Sequence, residues 1–352
     1  MNTLDSKKYH HDRLMLVIRK LALLPSPSNI KRTLSDSKLA EIQKRIIATS
    51  TNDLDTAYWE PLLLFIEKHT LAQIRSFDNA ITIVCQNTKP SKVPGVTQFL
   101  RAGSQPKDDR LWVGGLFEIF VKLRLLLKQT PRFSVQLDPT LPNGREPDLR
   151  VSMGGRTIYL ESTVITESDD DKASWERNFG SGVKSFTSRR SPYRDAIRFY
   201  EKVYDKLAKG LDPRKSQMSE SDPNVLLISF YSPRAPFSAM SFGVKWALDE
   251  LLANQPKGRS HLNAASGGTD ISLMASLNYA ANNSPLNGLK SVSGCVHKLL
   301  RAPRRISGIL LFNGCSLKAS RLNYNATNAC QMNHDEIARL EKVFRLVPSW
   351  AR

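Results

Sequence analysis

The hydrophobic residues of the first hundred positions recur at helical spacing. Apolar side chains at every third or fourth position predict helices over residues 13–24, 35–48 and 58–75, the second of them capped by Ser35 or Ser37. Residues 88–109 are polar and contain proline and glycine, which predicts a linker or long loop. The pattern therefore predicts an N-terminal helical domain over residues 1–105.

After residue 110 the pattern favours strands as well as helices. An apolar helix is predicted over residues 112–128, and later helices over 193–209, 241–253 and 335–346. The predicted strands are 133–137, 147–153, 157–165, 224–231 and 306–312, the last two being the continuous apolar runs typical of buried strands. We expect an α/β core over residues 106–325, with an insertion around 255–288 that is rich in small and polar residues, and a C-terminal helix within 326–352.

Two consecutive glycines, Gly154 and Gly155, separate two segments of alternating polarity. This is the signal for a hairpin with a two-residue turn, in which the numbers of paired residues sum to 309. One face of the hairpin is then apolar, and the other face places Asp148 directly opposite Glu161.

Directly opposed side chains of like charge destabilise a sheet, because their Cβ atoms are only about 5 Å apart. The pair is tolerated if a proton is shared, if an arginine such as Arg150 or Arg156 neutralises it, or if a divalent cation bridges it. Carboxylates, backbone carbonyls and water are the ligands that Mg²⁺ and Mn²⁺ prefer. Both a solvated polar face and a metal site are therefore open interpretations of the hairpin.

Glu118 interrupts the apolar face of the helix predicted over residues 112–128. A buried glutamate is rare unless it is paired or functional, which makes Glu118 a candidate site residue. Lys122, one turn later, offers the structural alternative of an ion pair along the helix.

The order of these residues resembles the PD-(D/E)xK nuclease superfamily, which has the restriction-endonuclease-like fold. Its pattern is a helix with Glu, a strand, Pro-Asp, then Glu-x-Lys, a helix and a buried strand. Glu118, Pro147-Asp148 and Glu161-Ser162-Thr163 match it here, over about residues 111–231. The resemblance implies a mixed sheet flanked by helices and the hydrolysis of DNA phosphodiester bonds with Mg²⁺ or Mn²⁺, in restriction, phage defence or mobile-element maintenance.

The resemblance also implies a role for each matched residue. Asp148, Glu161 and the carbonyl of Ser162 would hold the metal, and Glu118 would order a metal-bound water or a second metal. The lysine of the family pattern is Thr163 here, so the positive charge that stabilises the reaction is missing at this position. Thr163 could hold a water, and a lysine could come from elsewhere. The lysines considered for this purpose are Lys184, Lys202 and Lys206.

The chain carries 51 Lys and Arg against 33 Asp and Glu, and a net charge of +18 favours a polyanionic partner, DNA first. Residues 111–170 hold 7 basic and 8 acidic residues, whereas residues 181–215 hold 10 basic and 4 acidic ones. The candidate nucleic-acid-binding residues are Arg190, Arg194, Arg198, Lys202 and Lys206, which recur every fourth residue as one helical stripe, together with Lys184 in the preceding loop and Arg301, Arg304 and Arg305. A solvated basic surface is the alternative.

Several other classes lack their sequence signals. No apolar run approaches the roughly 20 residues that span a bilayer, no secretory signal is expected, and four widely spaced cysteines predict reduced thiols in the cytoplasm. We therefore predict a cytoplasmic protein without a membrane partner, and a metal-dependent endonuclease if the site is active. The alternatives are a non-catalytic nucleic-acid-binding or assembly protein, and an interaction module whose helical domain docks onto a partner protein.

Overall fold

The computed structural model describes residues 3–48, 60–104, 109–166, 217–231, 305–323 and 326–351. The helices predicted at 193–209 and 241–253 and the insertion predicted at 255–288 lie outside these ranges. Contacts divide the chain into two compact units between Leu123 and Arg124, and the residues from Val347 onward belong with the first unit. Within the described ranges, no helix is both long and apolar enough to cross a membrane.

The described residues that precede Arg124 fold into helices. They are α1 (Thr3–Ala22), α2 (Asn29–Thr33), α3 (Asp36–Ala48), α4 (Pro61–Lys68), α5 (Leu71–Asn87), α6 (Val93–Gly103) and most of α7 (Asp109–Leu126). The helices predicted over residues 13–24, 35–48 and 112–128 are present as α1, α3 and α7. The predicted cap of α3 also forms, since the hydroxyl of Ser35 accepts the N–H of Lys38 at 3.4 Å.

Two predictions for this region are wrong. The single helix expected over residues 58–75 is divided into α4 and α5, because Thr70 and Gln73 form a capping box that starts a new helix. The linker expected over residues 88–109 contains a 3-10 helix at Pro90–Lys92 and then α6. Pro94 lies in the first turn of α6, where the missing N–H of proline costs no hydrogen bond.

Aromatic side chains form the centre of the first unit. Phe77 packs on Phe65 and on Trp350, with ring centroids 4.7 and 4.8 Å apart, and Phe99 packs on Trp112 at 5.5 Å. Any Cβ at Gly115 of α7 would overlap the side chain of Phe99. This glycine therefore permits the close approach of α6 and α7.

Charged groups of α1 bind the end of α4. The guanidinium of Arg13 donates two hydrogen bonds to the carboxylate of Glu67, at 2.5 and 2.6 Å. The ammonium of Lys20 donates to the carbonyls of Ile66, Glu67 and His69 at 3.0, 2.7 and 2.8 Å. These carbonyls lie at the helix end, where intrahelical partners are lacking, so Lys20 caps α4 from another helix. Burial lowers the pKa of Lys20.

Glu60 precedes α4 and is completely buried. Its Oε1 pairs with Nη2 of Arg45 on α3 at 2.5 Å, and its Oε2 has no hydrogen-bond partner among the described residues. Burial raises the pKa of Glu60, and the neighbouring Arg45 opposes this rise in part.

The second unit is built on a mixed sheet. Its strands are β1 (Phe133–Leu137), β2 (Leu149–Met153), β3 (Arg156–Ile165), β4 (Asn224–Phe230), β5 (Gly308–Asn313) and β6 (Ser316–Leu322). They form a six-stranded sheet in chain order. The pairs β1–β2, β2–β3 and β5–β6 are antiparallel, whereas β3–β4 and β4–β5 are parallel. The central β4 is buried at every position, as expected for a strand covered on both faces.

The last helix, α8 (His334–Phe344), packs against β6. The ring of Phe344 contacts Phe312 of β5 edge to face at 5.5 Å. Arg124, at the end of α7, is buried and donates two hydrogen bonds to the carbonyl of Val343, at 3.1 and 2.9 Å. This cation therefore caps the C-terminal end of α8, where it interacts favourably with the helix dipole.

The strands predicted before residue 313 are all present, but β6 is missing from the prediction. Gly314, with φ of +54°, occupies the first position of a two-residue turn between Asn313 and Ser316. The polar and basic residues of β6, such as Lys318 and Arg321, conceal its alternating pattern in the sequence. The coarse class is confirmed: the protein is mixed α/β, with a six-stranded mixed sheet and flanking helices.

Candidate functional site

The hairpin that carries the candidate acids has the predicted register. Gly154 and Gly155 form its turn with φ of +58° and +85°. The five observed pairs are Met153 with Arg156, Ser152 with Thr157, Val151 with Ile158, Arg150 with Tyr159 and Leu149 with Leu160. Paired numbers sum to 309 throughout, which confirms the predicted alignment. Asp148 directly precedes the last of these pairs, at the position across from Glu161.

Asp148 and Glu161 each bind the segment on the opposite side of the hairpin. The N–H of Asp148 donates to Oε2 of Glu161 at 3.2 Å. The N–H and the hydroxyl of Ser162 both donate to Oδ2 of Asp148, at 2.7 and 2.6 Å. Glu161 is buried, with 4% of its surface exposed. Two acids therefore lie together at the end of the ladder, and neutral donors stabilise their charges in part.

The backbone pattern explains why Asp148 binds Ser162. The N–H of Tyr159 donates to the carbonyl of Pro223 next to β4 at 2.8 Å, so odd-numbered residues of β3 pair towards β4 and even-numbered ones towards β2. Ser162 thus faces Pro147, two positions beyond the last pair. Proline has no N–H to donate to the carbonyl of Ser162, so the regular ladder ends there. The N–H of Ser162, on the same side of β3, donates to the carboxylate of Asp148. The carbonyl of Ser162 faces a residue that cannot donate to it.

The segment that leads into Asp148 is fixed by further hydrogen bonds. The N–H of Asp138, just after β1, donates to the carbonyl of Asp148 at 3.0 Å. The side chain of Gln217 donates to the carbonyl of Glu146 at 2.9 Å. The backbone of Asp148 is therefore held by groups outside the hairpin as well as within it.

The donors at this position suit a hard divalent cation. Among the described residues, no group of three or more His, Cys, Asp or Glu side chains could hold a metal ion. Mg²⁺ is commonly bound by one or two carboxylates and several waters rather than by a complete protein cage. Asp148, Glu161 and the carbonyl of Ser162 offer that kind of incomplete, oxygen-only set.

Neither arginine considered for neutralising the acids contacts them within the described residues. Arg156 pairs instead with Glu336 of α8 at 3.2 Å. Arg150 is exposed. Among the described contacts, neither Arg150 nor Arg156 therefore plays the neutralising role that the solvated polar face assigned to it.

Glu118 forms the predicted ion pair with Lys122, at 2.7 Å. The exposures of the two side chains are 41% for Glu118 and 3% for Lys122, so the buried partner is the lysine. Glu118 belongs to the first unit, and Asp148 and Glu161 belong to the second. The ion pair gives Glu118 a structural role, and its part in a metal site stays a prediction.

Thr163 lies two residues after Glu161 on the same face of β3 and is half-buried. It pairs with Ile228 in the register with β4. A threonine hydroxyl at this position can donate a hydrogen bond but supplies no positive charge. The lysines considered as replacements, Lys184, Lys202 and Lys206, lie outside the described residues.

Most candidate nucleic-acid-binding residues also lie outside the described ranges. These are Lys184, the five residues of the predicted basic stripe from Arg190 to Lys206, and Arg301 and Arg304. Arg305 is described, and it pairs with Glu220 at 2.7 Å, an exposed contact of the kind that contributes little stability. Two further basic residues nearby in the sequence, Lys318 and Arg321, are exposed on β6.

The side chain of Ser162 was not predicted as part of the site, in which only its backbone carbonyl was expected. The signal was present, because the register places Ser162 opposite Pro147 and proline cannot complete the ladder. A short hydroxyl side chain next to an acid in that position could have been predicted to bind it.

Comparison with known proteins gives no match: no family model matches the chain, and neither a curated protein nor a solved structure is significantly similar to it. The function has to be argued from the residues and their geometry.

Proposed function

We propose that this protein is a nuclease that hydrolyses DNA phosphodiester bonds with Mg²⁺ or Mn²⁺, on a restriction-endonuclease-like core. The contact between Asp148 and Glu161 carries the proposal. It brings two acids together at the end of a strand pair, beside a backbone carbonyl that faces proline. Like charges at such a position are favoured when a cation binds between them.

The order of the described elements supports the resemblance to the PD-(D/E)xK superfamily. Helix α7 carries Glu118 and is followed by the antiparallel strands β1, β2 and β3. Pro147-Asp148 precedes β2, Glu161 lies within β3, and β4 then runs parallel to β3. This is the order of helix, strand, Pro-Asp, Glu and buried strand by which the superfamily is recognised.

In the proposed site, Asp148, Glu161 and the carbonyl of Ser162 would hold the cation. A bound Mg²⁺ supplies Lewis-acid activation of water and neutralises charge on the scissile phosphate. Thr163 orients a water through its hydroxyl. Because Thr163 has no charge, a cationic side chain from another part of the chain completes the site in an active enzyme.

The net charge of +18 supports a polyanionic substrate, since phosphate contacts supply most of the non-specific affinity for DNA. The proposed contacts are the basic residues from Lys184 to Lys206 and the group Arg301, Arg304 and Arg305. We place the protein in the cytoplasm, in restriction, phage defence or mobile-element maintenance. The helices of the first unit are a proposed surface for a partner protein.

Thr163 favours a second candidate, a nucleic-acid-binding or assembly protein without catalysis. In that case Asp148 and Ser162 only close the end of the hairpin, and the basic surface still binds nucleic acid. The two candidates differ in cleavage and share salt-sensitive binding, because contacts with phosphates make affinity fall as salt rises.

The test is cleavage of plasmid and linear DNA with Mg²⁺ or Mn²⁺ by the full-length protein and by Asp148→Asn and Glu161→Gln. Both substitutions keep the side-chain shape and remove the charge. Each should lower the cleavage rate by about 100-fold or more, since metal-assisted stabilisation of the transition state is worth several kcal/mol. Asp335→Asn, an exposed acid in the first turn of α8, serves as the matched control and should retain full activity.

Equal cleavage by the wild type and by both site variants would assign the activity to another site or to a contaminant. Salt-sensitive binding of DNA without cleavage by any of the proteins would favour the non-catalytic candidate. Binding that does not respond to salt would contradict the proposed contacts with phosphates in both candidates.

A further inference from the structure

Both hydrogen-bond donors of Ser162 converge on a single oxygen of Asp148. The backbone N–H lies 2.7 Å from Oδ2, and the hydroxyl lies 2.6 Å from the same atom. Distances in this range are typical of hydrogen bonds to an ionised acceptor, which are about twice as strong as neutral ones. Asp148 is therefore held by two strong contacts to one residue of the neighbouring strand.

Two donors on one residue fix the orientation of the carboxylate. The backbone N–H belongs to β3, which is paired on both sides, and so cannot follow a moving side chain. The terminal torsion of an aspartate is otherwise broad and allows the carboxylate to rotate. The hydroxyl of Ser162 supplies the second contact that removes this freedom.

The contacts with Ser162 occupy Oδ2 of Asp148 and leave Oδ1 available to a ligand. Among the described residues, no donor lies within hydrogen-bond distance of Oδ1. The N–H of Asp148 itself binds Oε2 of Glu161, which ties the orientation of the two acids together. An aspartate oriented in this way presents Oδ1 without first losing rotational entropy on binding a ligand.

We propose that Ser162 is a positioning residue of the site: its N–H and hydroxyl hold Oδ2 of Asp148 so that Oδ1 faces the divalent cation. This inference rests on the proposed function and assigns the side chain of Ser162 a role beyond its carbonyl. Partners of this kind, which hold a metal ligand without touching the metal, typically change metal affinity by about 10- to 100-fold.

The position of Ser162 suits this role because of Pro147. Pro147 has no N–H to donate to the carbonyl of Ser162, so the regular ladder ends here, and the N–H of Ser162 donates to the side chain of Asp148. A residue without a hydroxyl at this position would keep the N–H contact alone. The proposal therefore concerns the hydroxyl, and the hydroxyl can be removed separately.

The experiment is calorimetric titration of the metal-free, full-length protein with Mn²⁺. The variants are Ser162→Ala, the isosteric pair Ser162→Thr and Ser162→Val, and Asp148→Asn as a site knockout. Ser152→Ala is the matched control, because Ser152 is a half-buried serine of the same hairpin that lies opposite Thr157. Denaturant unfolding of each metal-free variant measures stability separately from affinity.

Loss of the hydroxyl should weaken Mn²⁺ binding by about 10- to 100-fold in Ser162→Ala and Ser162→Val. Ser162→Thr should retain most of the affinity, and Ser152→Ala should bind like the wild type. The threonine and valine variants have nearly the same shape, so a difference between them reports the hydroxyl even if alanine impairs folding.

Equal Mn²⁺ affinity in the threonine and valine variants would overturn the positioning role and leave the metal site intact. No Mn²⁺ binding by the wild type, or equal binding by Asp148→Asn, would overturn the metal site and with it the role of Ser162. The two failures are therefore distinguishable in a single set of titrations.

Discussion

Two regions of the protein, the contacts of α1 with α4 in the first unit and the β2–β3 hairpin in the second, accommodate charged side chains in opposite ways. In the first unit, charged groups that leave water meet an opposite charge or a carbonyl, as Arg13 does with Glu67 and Lys20 with the end of α4. In the second unit, the hairpin brings two acids together, Asp148 and Glu161. The first arrangement is complete without a ligand, and in our proposal a bound cation stabilises the second.

We infer that the paired charges of α1 and α4 stabilise the fold, whereas the two acids of the hairpin form part of a ligand site. Removing one partner from a complementary pair leaves a buried group unsatisfied and lowers stability. Removing one acid from a like-charged pair relieves repulsion and removes a metal ligand instead. The sign of the effect on stability therefore distinguishes the two regions.

Replacing Lys20 in the first unit tests this difference most strongly, because it should cause a large loss in the free energy of unfolding. Lys20→Met keeps the apolar stem and removes the ammonium that binds three carbonyls. Hydrogen bonds to charged groups contribute about 1.5–3 kcal/mol, so we expect a loss of about that size in the free energy of unfolding. Urea unfolding of the full-length protein measures it.

Lys8→Met is the matched control for this experiment, since Lys8 is an exposed lysine of the same helix. It should change the free energy of unfolding by less than about 0.5 kcal/mol. Similar effects of the two substitutions would show that Lys20 contributes through its general charge and not by capping α4.

A smaller effect is expected from the pH dependence of Glu60. Burial raises the pKa of Glu60 above its ordinary value, so the folded protein holds this proton at a pH where the unfolded chain has released it. Its contribution to stability therefore falls as pH rises from the ordinary pKa of about 4.5 in the unfolded chain through the raised pKa of the folded state. Glu60→Gln lacks this titration.

The measured quantity is the difference in the free energy of unfolding between the wild type and Glu60→Gln. It should fall with rising pH by about 1.4 kcal/mol for each unit that separates the folded and unfolded pKa values of Glu60. A difference that does not change with pH would show that the interaction with Arg45 compensates fully for the burial of Glu60. The pKa of Glu60 would then not be raised in the folded protein.

Hydrophobic pattern predicted most of the fold because most elements bury one face. The continuous apolar runs predict β4 and β5, and the apolar stripes at helical spacing predict α1 and α3. The failures occurred where a local capping signal overrides the pattern. Thr70 starts α5 within an apolar stretch, and Pro94 starts α6 in a segment whose composition is typical of a loop.

The part of the candidate site that depends on the register of the β2–β3 hairpin could be predicted from the sequence. Gly154 and Gly155 determine the pairing, and the pairing determines that Asp148 lies across from Glu161. The dual contact from Ser162 to Asp148 depends on where the ladder stops, which the hydrophobic pattern does not contain. The burial of Lys122 beside the more exposed Glu118 likewise depends on packing around α7.

The most direct test of the central claim is the change in the free energy of unfolding that Mn²⁺ produces, in the wild type and in Asp148→Asn. The amide oxygen that this substitution introduces can still accept both contacts from Ser162, so the variant loses a charge and a metal ligand while the hairpin closure is kept. Without metal, the variant should be as stable as the wild type or more stable, because the like charge is gone.

With Mn²⁺ at about 100 times its dissociation constant, the wild type should gain about 2.7 kcal/mol in the free energy of unfolding, because the cation binds only the folded state. Asp148→Asn should gain far less. An equal gain in both proteins, or no gain in the wild type, would contradict the claim that Asp148 and Glu161 form a site for a divalent cation.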